Sequence, residues 1–377
     1  GAQGIAFHSK AKSVRFPSSA MVIKRDPTGK KGFDQNERLI SLDSTEAGTS
    51  IQSLSSCNQI SPNSFTSKSS WNRFAEPTQT LLFLDWDDTL FPTTELLDRL
   101  GMKAKGSMQK AEVPHITDMA GEKASLVKEW QESLQRFLTV ACENSSGVRI
   151  ITNARRPWIE DSIEQYAPNL KPLFSQVNGP KVIYAREVLR EHRGVKKLRP
   201  ISSSNPVKYA LPEDRDKATL ISEEMTSSKF EAMRREASRF YKSYPGQTWK
   251  NILSFGDINY EHDAVQEVGL RRRVAFPERL RIKSILLPSE PKLTESSLRL
   301  DFLRLMMPSF VAFDGDFFAD LQESIDPMWT VSKVLCLPQL NELDFPEHAW
   351  GEGDAPEEEE VQEALVNLAT FLHSLDT

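Results

Sequence analysis

The chain has 377 residues, 39% of them hydrophobic and 27% charged, with a net charge of −6. At about 150 residues per domain this allows two domains, or one with long tails, and the modest apolar share points to a stretch outside any core. No run approaches the ~18 consecutive apolar residues of a membrane span, so none is expected. The three cysteines, Cys57, Cys142 and Cys336, are too few and too scattered for a disulfide framework or a four-cysteine zinc site. They fit a reducing, cytoplasmic setting, although the start at Gly1 leaves a targeting segment upstream open.

Charge is strongly polarised along the chain. Residues 1–40 carry a net +5 and residues 341–377 a net −11, so the 300 residues between them are neutral. A neutral middle argues against nucleic acid as a partner, because such binders gather positive charge on their folded part.

Residues 41–70 contain eleven Ser and no sustained apolar period, and residues 1–78 read as a disordered, Ser-rich leader. Character changes at Leu81–Leu84, a short apolar run ending in acids, which fits a strand buried on both faces of a parallel sheet. A helical stripe follows over 124–142, and further short runs over 148–151, 182–184, 252–255 and 285–287 read as strands. The 186–199 stretch, with six Lys/Arg and two Glu, reads as a solvated helix or a basic rim, and the Pro- and Ser-rich 186–228 surplus as a long loop or minimal cap. Helices are expected over 228–241 and 293–307. Strands alternating with helices imply an α/β fold: a three-layer, doubly wound, Rossmann-like, mostly parallel sheet over 79–310. Residues 311–377 read as an irregular acidic extension. It ends in an amphipathic helix over 361–375 whose apolar stripe is expected to dock on the core.

Chemistry concentrates in Leu81-Leu82-Phe83-Leu84-Asp85-Trp86-Asp87-Asp88-Thr89-Leu90. Ligands of open α/β sheets bind at the carboxyl ends of strands, which is where Asp85 falls. Alternation puts Asp85 and Asp87 on one side of the extended chain, and two carboxylates there can divide nucleophile or metal-ligand work from proton shuttling. Two later runs also end in functional residues. Val148-Arg149-Ile150-Ile151 leads to Thr152 and Asn153, and Ile252-Leu253-Ser254-Phe255 leads to Gly256-Asp257 with Glu261 four residues on.

These three motifs, in this order on strand ends, resemble the haloacid dehalogenase (HAD) superfamily, and the resemblance covers about residues 80–290. It implies a Mg²⁺-dependent phosphatase, a hydrolase of phosphomonoesters. Asp85 would be the nucleophile that forms an aspartyl-phosphate, and Asp87 the general acid/base. Thr152 and Asn153 would bind substrate. Asp85, the Asp87 carbonyl and Asp257 would supply the hard oxygen ligands that Mg²⁺ prefers, and Glu261 would support the metal from behind them or through a water, with Asp263 a second candidate for that position. A lysine must offset the charge around Asp85, and Lys229, read as opening the 228–241 helix, is chosen over Lys250 and Lys208. His262, beside the acids, reads as a surface residue. The alternative is a catalytically silent HAD-like binding or regulatory module. Neither interval that could hold a cap offers room for a large folded one. The expected partner is therefore a phosphorylated substrate, small molecule or macromolecule.

Overall fold

A computed structural model describes residues 70–102, 121–198, 217–243, 249–272 and 279–376. Most of the Ser-rich leader, the 199–216 part of the expected loop, and Lys208 within it, lie outside the described residues.

Six strands form one all-parallel sheet: β1 (Thr80–Leu84), β2 (Gly147–Thr152), β3 (Lys181–Tyr184), β4 (Asn251–Gly256), β5 (Arg281–Leu286) and β6 (Phe317–Asp320). Their order across the sheet is 3-2-1-4-5-6, so the winding reverses between β1 and β4. Every residue of β1, β2, β4 and β5 is buried, as a parallel sheet covered on both faces requires.

The two faces separate by alternation. Leu82, Leu84, Ile150, Leu253 and Phe255 pack into one core, together with α1 (Glu122–Asn144) and, later in the chain, α7 (Leu293–Ala312). Leu81, Phe83, Ile151 and Ile252 pack into the other, against α4 (Ala185–Leu198), α5 (Lys217–Phe240) and α6 (Asn259–Leu270). Between β2 and β3 run α2 (Trp158–Tyr166) and the single turn α3 (Lys171–Phe174). Past β6 come α8 (Pro327–Leu335) and α9 (Glu358–Asp376). Among the described residues no helix is long and apolar enough to cross a membrane.

Three differences from the sequence reading have physical causes. The stretch expected to be irregular contributes β6 and α8, and the boundary placed at 310 falls inside α7. β6 is only four residues long and lies at the sheet edge. Its burial alternates, and Phe318 is exposed, so no continuous apolar run announces it. Within the surplus at 186–228, residues up to 198 continue α4 and those from 217 onward already belong to α5. Lys229 therefore lies in the middle of a 24-residue helix rather than at its start. The expected docking of the last helix is found, with Ala364 and Leu368 of α9 buried in the core that α7 shares.

Candidate active site

Asp85 follows β1 and Asp257 follows β4, the neighbouring strands between which the winding reverses. The register pairs Leu84 with Phe255, and the Asp85 amide donates to the Phe255 carbonyl at 2.9 Å. Two strand-end carboxylates are thereby set side by side in the crevice that such a reversal opens. The turn after Asp85 is fixed from below by aromatic packing. Trp86 stacks on Phe91 at 5.7 Å, and Phe91 meets Trp130, Trp158 and Tyr166 at 5.4 to 5.7 Å. Each such pair contributes about 0.5–1.5 kcal/mol beyond burial. Asp88 takes a left-handed conformation (φ 53°) that lets its amide reach the Phe91 carbonyl at 2.8 Å, and its carboxylate accepts from the Thr94 amide and hydroxyl.

α6 begins two residues after Asp257 and points Glu261 back over the end of β4. Only a glycine fits beneath it, since a Cβ on Gly256 would lie 2.6 Å from the Glu261 Cγ. Asp85, Asp257 and Glu261 are all buried, and their carboxylate oxygens lie within 4.8 Å of one another. From α5 on the second face, Lys229 enters the same space with its side chain fully buried. Its ammonium donates to an Asp85 oxygen, to the Ile151 carbonyl at 2.5 Å and to Glu261 Oε1 at 2.7 Å.

The electrostatics of this cluster are unbalanced, with three carboxylates facing one ammonium. Burial is the largest influence on Asp85 and pushes its carboxyl up to about 7. Lys229 opposes the rise, while Glu261 and Asp87 add to it. Burial, then Asp85 and Glu261, push Asp257 up to about 9. Burial by itself disfavours the Lys229 ammonium, but Asp85 and Glu261 outweigh it and hold the lysine charged beyond its usual range. Glu261 Oε2 is buried with no hydrogen-bond partner among the described residues, an arrangement that costs about 1–3 kcal/mol unless something binds there. A divalent cation would balance the excess charge and use that oxygen. The donor set is entirely carboxylate oxygen, which suits a hard cation rather than a soft one. This buried triad could hold a metal ion.

Asp87 stands apart from the triad. Its Oδ1 accepts from Trp158 Nε1 at 2.7 Å and Thr93 Oγ1 at 2.8 Å, and its Oδ2 from Thr152 Oγ1 at 3.2 Å. Thr152, the last residue of β2, also accepts from the Ala154 amide at 2.9 Å. Asn153 turns toward α5, where its Oδ1 accepts from Ser228 Oγ at 2.6 Å and its amide reaches the Met225 carbonyl at 3.4 Å. It thus ties the β2 loop to the helix that carries Lys229.

The structure brings together Asp85, Asp87, Thr152, Lys229, Asp257 and Glu261, with Asn153 alongside. It sets aside the rivals. Lys250 precedes β4 at the opposite end of the sheet, and Asp263 is exposed on the outer side of α6. His262 is half-buried and stacks on Phe318 of β6 at 3.8 Å, so it is less of a surface residue than expected. Thr89, Thr93 and Trp158 were not singled out in the sequence. Thr89 donates to Asp257 Oδ1 at 3.1 Å. Thr89 closes the Asp85-Trp86-Asp87-Asp88-Thr89 run, where its spacing from the acids was the available signal, but nothing local marks Thr93 or Trp158.

No protein-family model, curated protein or solved structure matches this chain.

Proposed function

We propose that the chain is a Mg²⁺-dependent phosphomonoester hydrolase of the HAD type. The observation that carries this reading is the pairing of Asp85 with Lys229 inside a buried carboxylate triad, with a second, separately held carboxylate two residues away. A strand that merely ended in an acidic turn would leave its acids solvated, and these are not.

Asp85, Asp257 and Glu261 would hold the cation, which when bound would offset phosphate charge and help align the phosphoryl group. The Asp85 carboxylate attacks phosphorus as the bond to the leaving oxygen breaks, giving an aspartyl-phosphate. Asp87 gives its proton to that leaving oxygen. Water then attacks phosphorus, Asp87 takes a proton from it, and the Asp85 carboxylate departs, so that ester and water become alcohol and phosphate. Lys229 favours the ionised form of Asp85 against the pull of burial and offsets charge as it builds on the phosphoryl oxygens. The bond from Thr152 to Asp87, at 3.2 Å, is the longest of the three on that carboxylate and the one most easily exchanged for a phosphoryl oxygen. The substrate class is a phosphate monoester on a small molecule or a macromolecule.

The test is release of phosphate from an aryl phosphate by the full chain with Mg²⁺. Asp85→Asn should abolish turnover while leaving the melt cooperative. Equal rates in the two proteins, or none in either, would leave the silent binding module as the better reading.

A further inference from the structure

The two oxygens of Asp87 are unequal. Oδ1 takes two close donors, Trp158 Nε1 at 2.7 Å and Thr93 Oγ1 at 2.8 Å, whereas among the described residues Oδ2 has only Thr152 Oγ1 at 3.2 Å. The three donors come from separate segments: the turn after β1, the first residue of α2 and the last residue of β2. Their chemistry gives the inequality a direction. A hydroxyl can reverse, and Thr93 could accept from Asp87 while giving its own hydrogen to the Phe91 carbonyl at 3.3 Å. An indole N–H only donates. The ring cannot easily turn away, because it meets Phe91 edge-on at 5.7 Å and the next amide, that of Ile159, is bound by the Tyr184 hydroxyl at 3.0 Å. An oxygen that carries hydrogen is the poorer acceptor, so the indole favours an Oδ1 without one.

We infer that Trp158 is a positioning residue that keeps Oδ1 of Asp87 an acceptor and directs the shuttled proton onto Oδ2, the oxygen on the Thr152 side. This role rests on the hydrolase reading above. In the first half-reaction the Oδ2–H bond breaks and its proton passes to the leaving oxygen as the phosphorus–oxygen bond breaks. In the second, the attacking water returns a proton to Oδ2 as its oxygen bonds to phosphorus and the Asp85–phosphorus link opens.

Leaving-group dependence tests the role without relying on any titration. A 2,4-dinitrophenolate departs without protonation, whereas an alkoxide needs the proton. kcat/KM with the full chain and Mg²⁺ reports only steps through formation of the aspartyl-phosphate. Trp158→Phe keeps a ring in place and removes the N–H. It should lower kcat/KM for an alkyl phosphate by about 10-fold or more, a share of the ~10²–10⁴ that a placed acid supplies. For 2,4-dinitrophenyl phosphate the change should stay within about 2-fold. Asp87→Asn should show the same selectivity more strongly. A merely structural role would slow both esters alike, and equal losses, or no loss on either, overturn the inference. If Trp158→Phe fails to fold, 3-benzothienylalanine at position 158, with sulfur in place of N–H on the same skeleton, must reproduce the selective loss. Wild-type protein that hydrolyses neither ester would defeat the hydrolase reading itself and this role with it. An active wild type with an unselective variant would defeat only the role of Trp158.

Discussion

The Lys229 ammonium bridges the carboxylates of Asp85 and Glu261 and spends its third hydrogen on the Ile151 carbonyl at 2.5 Å. All three of its donors are used, so this lysine joins the ends of β1 and β2 to the start of α6 from within α5. The contact lies on the second face of the sheet, with Lys229, Asp85 and Glu261 all buried.

Replacing Lys229 with Met should therefore affect two measurements. Removing one member of a buried ion pair leaves uncompensated charge and costs about 3–5 kcal/mol. Denaturant melts at neutral pH should show a loss of that order, and phosphate release should fall severely. Lys250→Met, at the far end of β4, should keep its turnover. Full turnover in Lys229→Met would contradict the site.

Cation binding should appear as stabilisation. A ligand that binds only the folded state at about 100 times its Kd adds roughly 2.7 kcal/mol, so Mg²⁺ should raise the melting temperature of the wild type. Asp257→Asn and Glu261→Gln should each remove most of that rise, while Lys292→Gln, on the exposed lead into α7, should not. Titration calorimetry checks the affinities directly. A wild type indifferent to Mg²⁺ would count against the triad as its site.

Gly256 gives a sharper test because it lies outside the set of ligands. A methyl group there would meet the Glu261 side chain at 2.6 to 2.9 Å, closer than real contacts allow, so Glu261 must shift. Gly256→Ala should weaken Mg²⁺ binding by about 10-fold or more, within the 10–100-fold range for disturbing a ligand's support. The melt without metal should change by less than Lys229→Met changes it. Unaltered Mg²⁺ affinity would mean that Glu261 is not a ligand.

Acid stability should report a different ion pair. Asp301 of α7 is buried, which by itself would raise its pKa. Its hydrogen bonds from Arg136 of α1, Ser133 and Arg304 outweigh burial and hold it below the usual carboxylate range. The unfolded chain then binds this proton more readily than the folded one. The stabilisation is therefore present above pH ~4 and is lost as pH falls through the lowered folded pKa. Arg136 is about half exposed, so screening reduces the effect, and about 1–2 kcal/mol is expected. Asp301→Asn should lose that amount at pH 7 and show a shallower decline between pH 5 and 3 in urea melts. Parallel curves for the two proteins would contradict the assignment.

Short-range chemistry determined much of this protein. Four buried apolar runs, each a few residues long, mark β1, β2, β4 and β5, and alternation places the acids Asp85 and Asp87 at the end of the first. The G-D step and the acid four residues on announce Asp257 and Glu261, since a strand end and one helical turn are local geometry. Edge and helix boundaries were less legible. β6 exposes alternate residues, so it lacks the run that gives a buried strand away. α5 begins within a charged, Pro-flanked stretch whose composition resembles a loop. The choice of Lys229 over Lys250 and the hold on Asp87 belong to tertiary structure. Lys229 is separated from Asp85 by 144 residues and Trp158 from Asp87 by 71. Neither pairing has a local period or spacing. They arise because parallel strands must be joined by crossovers, and the crossovers return β2, α2 and α5 to the same carboxyl edge of the sheet.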